Sequence, residues 1–263
     1  MNFFNYQLFK KYTSHKNSFI YFIWKQIKIQ VIKKEIPFTW SENIHWIAHR
    51  HFQVSKRPYF YDLSDMEELA FLEHFALKED IFYDIGANVG MYSTYLSVKK
   101  KITCVQFEPN AAARKLNIRI QIKNRITNLN TLLSVALSDR ISTDWFTDNL
   151  DQQNKLATQV KNSVKIQVKT LDYFDQLPEP NVIKIDSEGE EYKILCGAEN
   201  LFQRSNIKII VIEFHIETYK QIKDYLQKFG FIQIRFDKSS NTFYKSETIT
   251  LSGNMIFIKE HLL

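Results

Sequence analysis

Four carboxylates crowd into the six residues Asp186-Ser187-Glu188-Gly189-Glu190-Glu191, directly behind the apolar run Val182-Ile183-Lys184-Ile185. Acids at the start of a helix gain from the helix dipole, which accounts in part for Glu190 and Glu191. Asp186 and Glu188 stand earlier, at the end of a predicted strand and next to Gly189, where a carboxylate pair suits proton transfer or a hard cation. The following apolar run, 207–214, carries Glu213 and His215 to the adjoining edge, since alternate residues of a strand share a face. A histidine beside three acids is a candidate for proton transfer near neutral pH. Asp186, Glu188 and His215 are therefore the expected catalytic residues, with His215 and Asp186 as alternative bases. Asp186, Glu188 and Glu213 form the expected ligand set if the chemistry uses Mg2+ or Mn2+.

A second constellation lies upstream, in Asp84-Ile85-Gly86-Ala87-Asn88-Val89-Gly90. Gly86 permits a tight turn, and Gly90, at the start of the next helix, is expected to let a ligand approach the backbone. Glycine-rich turns of this kind serve dinucleotides as well as adenosyl cofactors. Glu108 ends the following strand, 22 residues after Gly86, where its carboxylate can accept hydrogen bonds from both hydroxyls of an adenosine ribose. The spacing GxNxG lacks the GxGxxG arrangement that seats a pyrophosphate on a helix N-terminus, and acidic Asp84 suits a cationic sulfonium better than a diphosphate. An adenosyl sulfonium is favoured. An NAD-dependent oxidoreductase stays as one alternative, and a non-catalytic protein that binds a cofactor or docks on a membrane as another.

These residues need a scaffold that sets several strand ends side by side. From Ile81 onward, apolar runs of strand length (81–85, 102–107, 132–137, 182–186, 207–214, 231–236, 254–259) alternate with helical patterns at 89–100, 110–123, after 186 to about Leu201, and 217–229. In the second of these helices the apolar positions include Ala112, Leu116, Ile120 and Ile122. The pattern predicts an α/β fold: a doubly wound, mostly parallel, seven-stranded Rossmann-like sheet with ligand sites outside the carboxyl ends of its strands. Residues 139–163 are polar and turn-rich, and Val164 to Val168 alternates as a half-exposed strand outside that sheet. Upstream, Ser64 and Glu67 make a capping box for a helix ending near Lys78, with Leu69, Leu72, Phe75 and Ala76 on one face. Residues 36–63, rich in aromatics and prolines, are expected to form short strands and turns. The expected organisation is an N-terminal extension, 1–63, followed by the sheet domain, 64–263.

The chain of 263 residues has a formal net charge of +6. All of it sits in residues 1–35, with seven lysines against Glu35 alone; the remainder holds 28 basic and 28 acidic side chains. A neutral body argues against a nucleic-acid partner. Phe19, Ile20, Phe22, Ile23, Ile27 and Val31 recur at helical spacing among Lys25, Lys28, Lys33 and Lys34. This basic amphipathic helix either lies on its own domain or docks on a membrane surface or a partner. The apolar run 19–24 is shorter than the roughly 20 residues that span a bilayer and lacks the form of a secretion signal. The expected location is cytoplasmic, with peripheral membrane contact through residues 1–35 as an option. Cys104 and Cys196 have no metal-ligand spacing and are expected to be two buried thiols.

Read in order, FYDIGANVGMYS at 82–93, QFEPN at 106–110, VALSD at 135–139, VKTLD at 168–172, VIKIDSEGEEYKIL at 182–195 and IIVIEFH at 209–215 resemble the FkbM family of S-adenosylmethionine-dependent methyltransferases. The resemblance covers residues 81–259 and implies a class I methyltransferase fold. It implies Asp84, Gly86 and Asn88 on the methionine part of S-adenosylmethionine and Glu108 on its ribose, with Gly90, Pro109 and Ala136 also on the cofactor side. It further implies O-methylation of a hydroxyl on a sugar, glycan or secondary metabolite. The family pattern commonly has Val where this chain has Ser187, which leaves the acidic pair intact.

Overall fold

Runs of β-branched and aromatic residues become strands here, and glycines or polar turns end them. The computed structural model describes residues 19–60, 67–147, 156–157, 163–237, 239–246 and 252–262. Helix α1 (Phe19–Ile27) continues as a π-helical turn over Lys28–Ile32, and β1 (Glu35–Trp40) and β2 (Ile44–His49) form an antiparallel hairpin. Helices α2 (Gln53–Phe60) and α3 (Glu67–Phe75) follow, then β3 (Ile81–Ile85), α4 (Met91–Lys100), β4 (Thr103–Phe107), α5 (Ala111–Asn124), β5 (Asn130–Leu133) and β6 (Ala136–Leu137). The remainder comprises β7 (Ser142–Thr147), β8 (Leu156–Ala157), β9 (Ser163–Lys169), β10 (Val182–Ile185), α6 (Glu191–Cys196), α7 (Glu199–Arg204), β11 (Ile209–His215), α8 (Tyr219–Lys228), β12 (Phe231–Asp237), β13 (Thr242–Lys245) and β14 (Ser252–Lys259).

Eight strands form the main sheet in the order β13-β12-β14-β11-β10-β3-β4-β5. The five from β11 to β5 run parallel, β14 is antiparallel to both of its neighbours, and β13 adds an antiparallel edge beyond the seven expected strands. Because side chains alternate across a strand, one sequence run feeds two cores. Phe82, Cys104, Val182 and Val211 pack on one face, and Tyr83, Val105, Ile183 and Ile210 on the other. Full burial of such a side chain contributes roughly 1.5–3 kcal/mol. A separate four-stranded sheet has the order β6-β9-β7-β8.

The hairpin belongs to the first core: Trp40 and Trp46 pack edge to face at 5.3 Å, and Trp40 meets Tyr95 of α4 at 5.4 Å. Helix α1 and its π-helical turn lay Phe22 and Ile29 against Ile36, Ala48 and Phe60.

Several local expectations are corrected. Residues 53–60 are helical rather than strands and turns, since Ser55 fixes the segment to the hairpin: its Oγ accepts from His49 N at 2.8 Å and its carbonyl from Trp46 Nε1 at 2.8 Å. The predicted strand 132–137 is divided, β5 joining the main sheet and β6 the small one. The helix predicted to run to Leu201 breaks at Gly197, where a Cβ would sit 2.3 Å from the Ser138 carbonyl oxygen. On α5 the buried face is Ala113, Leu116, Asn117, Ile120 and Gln121, which leaves Ala112 and Ile122 exposed. Helix α3 ends at Phe75, and Ser64 lies outside the described residues. Cys104 is buried as expected, but Cys196 is exposed on the last turn of the short helix α6.

Candidate active site

A cavity of about 430 Å³ lies at the carboxyl ends of β3, β4, β10 and β11, within the size range of small-molecule sites. One wall is the β3–α4 turn. Buried Asp84 accepts from Ser93 Oγ at 2.6 Å and Ser93 N at 3.2 Å. Burial raises its carboxyl above the ordinary range, against the opposing pull of Lys184 and the Ser93 hydrogen bonds. Asn88 takes a left-handed conformation, φ +51°, that turns its backbone N–H onto Glu108 Oε2 at 2.7 Å. Asn110 N donates to Oε1 of the same carboxylate at 2.7 Å, while the Asn110 side chain caps α5 by accepting from Ala113 N. Glu108 is thus buried and fixed; burial pushes it up to about 7, against the two N–H donors that favour its anion.

The facing wall comes from β10 and β11. Lys184 and Asp186 share a strand face, and Lys184 Nζ donates to Asp186 Oδ2 at 2.6 Å. The same ammonium lies 4.7 Å from the centre of the Tyr92 ring. Burial disfavours the Asp186 anion, but Lys184 and a hydrogen bond from Glu213 hold its carboxyl below the usual range. Glu213 moves the other way: burial, then the adjacent Asp186 charge, push it up to about 8. The two acids therefore titrate as a pair, with Glu213 the more readily protonated partner. Glu188, at φ +50°, brings a third carboxylate, and the three offer oxygens within 4.8 Å of one another.

Four buried polar atoms on cavity residues have no hydrogen-bond partner among the described residues: Asn88 Oδ1, Tyr92 OH, Glu213 Oε2 and Asn254 Oδ1. Leaving such an atom unpaired costs roughly 1–3 kcal/mol. Their gathering around one cavity fits a polar ligand that supplies the missing partners. A cationic adenosyl ligand suits the chemistry of this polar set, with the carboxylates of Asp84 and Glu108 at one wall and the Asp186–Glu213 pair at the other.

Of the residues singled out in the sequence, Asp84, Gly86, Asn88, Glu108, Pro109, Ala136, Asp186, Glu188 and Glu213 all line this cavity. Gly90 and His215 are not among its lining residues. The absent side chain of Gly90 makes room for Asn117, whose Oδ1 would lie 2.5 Å from a Cβ there, and not for a ligand. His215 is exposed at the end of β11, and its engaged atom is its carbonyl oxygen, which accepts from Thr218 N and Oγ1. The sequence reading did not assign site roles to Tyr92, Lys184, Asn254, or Phe52, Val54 and Arg57 of the α2 segment. Lys184 was accessible in principle, standing two residues before Asp186 on one strand; nothing in the pattern of 52–57 marks those residues.

A doubly wound sheet closed by an antiparallel strand, with acids from β3 and the end of β4 turned to one cavity, defines the class I methyltransferase architecture. Residues 84–232 match the family described as Methyltransferase FkbM domain, and the chain belongs to that family. It is 26% identical over 141 residues to the hexuronic acid methyltransferase AglP of Haloferax volcanii, an alignment covering 53% of this chain and 58% of the relative. The fold resembles that of methyltransferase FkbM from Methylobacillus flagellatus KT, with TM-score 0.50 and 17% identity, over 69% of this chain and 44% of that one.

Proposed function

We propose that this protein transfers the methyl group of S-adenosylmethionine to a hydroxyl of a sugar or glycan. The observation that carries the reading is one cavity holding both a fixed ribose-type acceptor, Glu108, and a hydrogen-bonded acid pair, Asp186 and Glu213. When bound, the cofactor supplies an electrophilic methyl on a sulfonium. A neutral hydroxyl is a weak nucleophile, and a base is best placed when its pKa lies near the working pH. Glu213, near 8 and with Oε2 unpartnered, meets that condition better than exposed His215. Asp186, held ionised by Lys184, positions Glu213 and accepts its proton in the hydrogen bond they share. The hexuronic acid specificity of the relative supports a sugar as acceptor. Calorimetric titration with S-adenosylhomocysteine and, separately, NAD tests the reading: saturable binding of the first is expected, and binding of NAD alone would overturn it.

The trio Asp186, Glu188 and Glu213 was also the expected Mg2+ or Mn2+ set. Lys184, at 2.6 Å from Asp186, offsets one of the trio's three charges, and the chemistry proposed here is acid–base. Activity should persist in EDTA, and a loss restored by Mg2+ or Mn2+ would replace this reading with a cation-assisted one.

We further infer that residues 1–63 act as an extension of the domain 64–263 and hold it at an anionic membrane surface. No helix among the described residues is long and apolar enough to cross a membrane. Helix α1 and its π-helical turn bury Phe22, Gln26 and Ile29 yet leave Ile23, Trp24, Ile27, Val31 and Ile32 exposed beside Lys28, Lys33 and Lys34. An apolar stripe edged by lysines suits an acidic headgroup layer.

A further inference from the structure

We propose that Arg57 and Tyr92 form a carboxylate-recognition pair inside the cavity; the proposal rests on the methyltransferase reading and adds the acid group its ligands must carry. Both side chains line the cavity. Its acids are Asp84, Glu108, Asp186, Glu188, Glu190 and Glu213, and its cations are Lys184 and Arg57. Lys184 is committed to Asp186 at 2.6 Å. Arg57 makes no hydrogen bond or ion pair among the described residues, although its charge reaches both Asp186 and Tyr92. Tyr92 is 5% exposed, and its buried hydroxyl has no hydrogen-bond partner among the described residues. Burial raises the phenol well above its ordinary range, so the O–H stays on and can donate.

An acid-lined cavity repels a carboxylate unless a dedicated cation offsets its neighbours. A guanidinium offers a planar fork of donors that matches a carboxylate, and a neighbouring O–H adds a third donor. The helix that carries Arg57 is anchored on both sides of it: Ser55 is tied to His49 and Trp46, and Phe60 packs against Phe22 at 5.9 Å. The backbone that carries the fork is therefore fixed before any ligand arrives.

Two carboxylates belong to the proposed reaction: the amino-acid carboxylate of the cofactor and the acid group of an acidic acceptor sugar. The experiment separates them by calorimetry on the full chain, wild type against Arg57→Gln, Arg57→Lys and Tyr92→Phe. The first arm uses S-adenosylhomocysteine and its decarboxylated amine analogue. The second uses a glucuronic acid glycoside and the matching neutral glucoside on protein saturated with S-adenosylhomocysteine. Loss of one charge-assisted contact should cost about 10–100-fold in affinity, confined to the ligand that bears the carboxylate, with Arg57→Lys losing less than Arg57→Gln. A loss in the first arm assigns the pair to the cofactor; a loss only in the second assigns it to the acceptor. Unchanged affinities, or equal losses with and without the carboxylate, overturn the proposal and leave the methyltransferase reading intact. Wild-type protein that binds neither S-adenosylhomocysteine nor the acidic glycoside overturns both. If Arg57→Gln does not fold, the wild-type preference between carboxylate and decarboxylated ligands, and its change in Tyr92→Phe, decide the same question.

Discussion

The carbonyl oxygen of Asp186 occupies the space a side chain on Gly86 would need: a Cβ built on Gly86 falls 1.7 Å from that oxygen. The turn after β3 and the end of β10 thus meet backbone to backbone, and the cofactor wall and the acid pair are set in position by the same contact. Gly86 also lies at φ +75°, a region that penalises any Cβ. Gly86→Ala should lower stability by about 2–4 kcal/mol, a drop of several degrees in Tm, and should weaken S-adenosylhomocysteine binding. A thermal melt with and without ligand checks both, and an unaltered melt would contradict the contact.

Glu213 carries a proton below about 8. As general base it must lose that proton first, so kcat/KM should rise with pH through about 8 and then level off. Glu213→Gln should remove most turnover while leaving S-adenosylhomocysteine affinity within a few-fold, and His215→Ala should leave turnover nearly unchanged. The raised value also opposes folding: native Glu213 keeps its proton where the unfolded chain has lost it, so this contribution falls as pH rises from about 4.5 to about 8. Glu213→Gln should therefore be more stable than wild type at pH 8 by a larger margin than at pH 5, as urea titrations at the two values can show.

Glu108 must be ionised to accept two ribose hydroxyls, and burial pushes it up to about 7. Affinity for S-adenosylhomocysteine should strengthen as pH rises from 6 to 8. Glu108→Ala should weaken it by about 10–100-fold and flatten the pH dependence, provided circular dichroism confirms the fold. Equal affinity in the folded variant would remove Glu108 from the ribose.

His49 lies buried in β2, and desolvation outweighs the nearby Glu35 carboxylate to lower it to about 4. An unfolded histidine protonates near 6.5. Stability from this group is present above that value and is lost as pH falls toward 4, since the unfolded chain then binds the extra proton. His49→Gln should reduce the acid sensitivity of the melt in this window, whatever its effect at pH 8.

Replacing Trp24 and Val31 by glutamate should abolish sedimentation with vesicles rich in anionic lipid, and raised salt should weaken wild-type binding, because each surface lysine contributes about 1 kcal/mol that screening removes. Neutral vesicles provide the comparison. Pelleting that ignores both substitutions and salt would dissociate this stripe from the membrane.

The strand-ending acids were legible because chemistry and period coincide: Asp84, Glu108, Asp186 and Glu213 each close or follow an apolar run, and a parallel sheet gathers such ends. Roles were less legible than positions. Gly90 reads like a ligand glycine, yet its space is filled by Asn117, 27 residues later. His215 shares the parity of Glu213, but it stands beyond the cavity lining where the strand meets exposed surface. The α2 wall was hidden because Pro58 and flanking aromatics mask a helix that Ser55 and the hairpin stabilise from outside. Strand β13 pairs only with β12, so little hydrophobic pattern marks it.

Strand β14 is interior to the sheet, paired with β11 on one side and β12 on the other, although both precede it in the chain. During synthesis, β11 and β12 must wait with unpaired edges until residue 259 has left the ribosome, and Asn254 reaches the cavity only when that strand inserts. The cavity is thus completed last, after its other lining residues have been translated, and a nascent chain stalled before β14 would present two open edges to other chains.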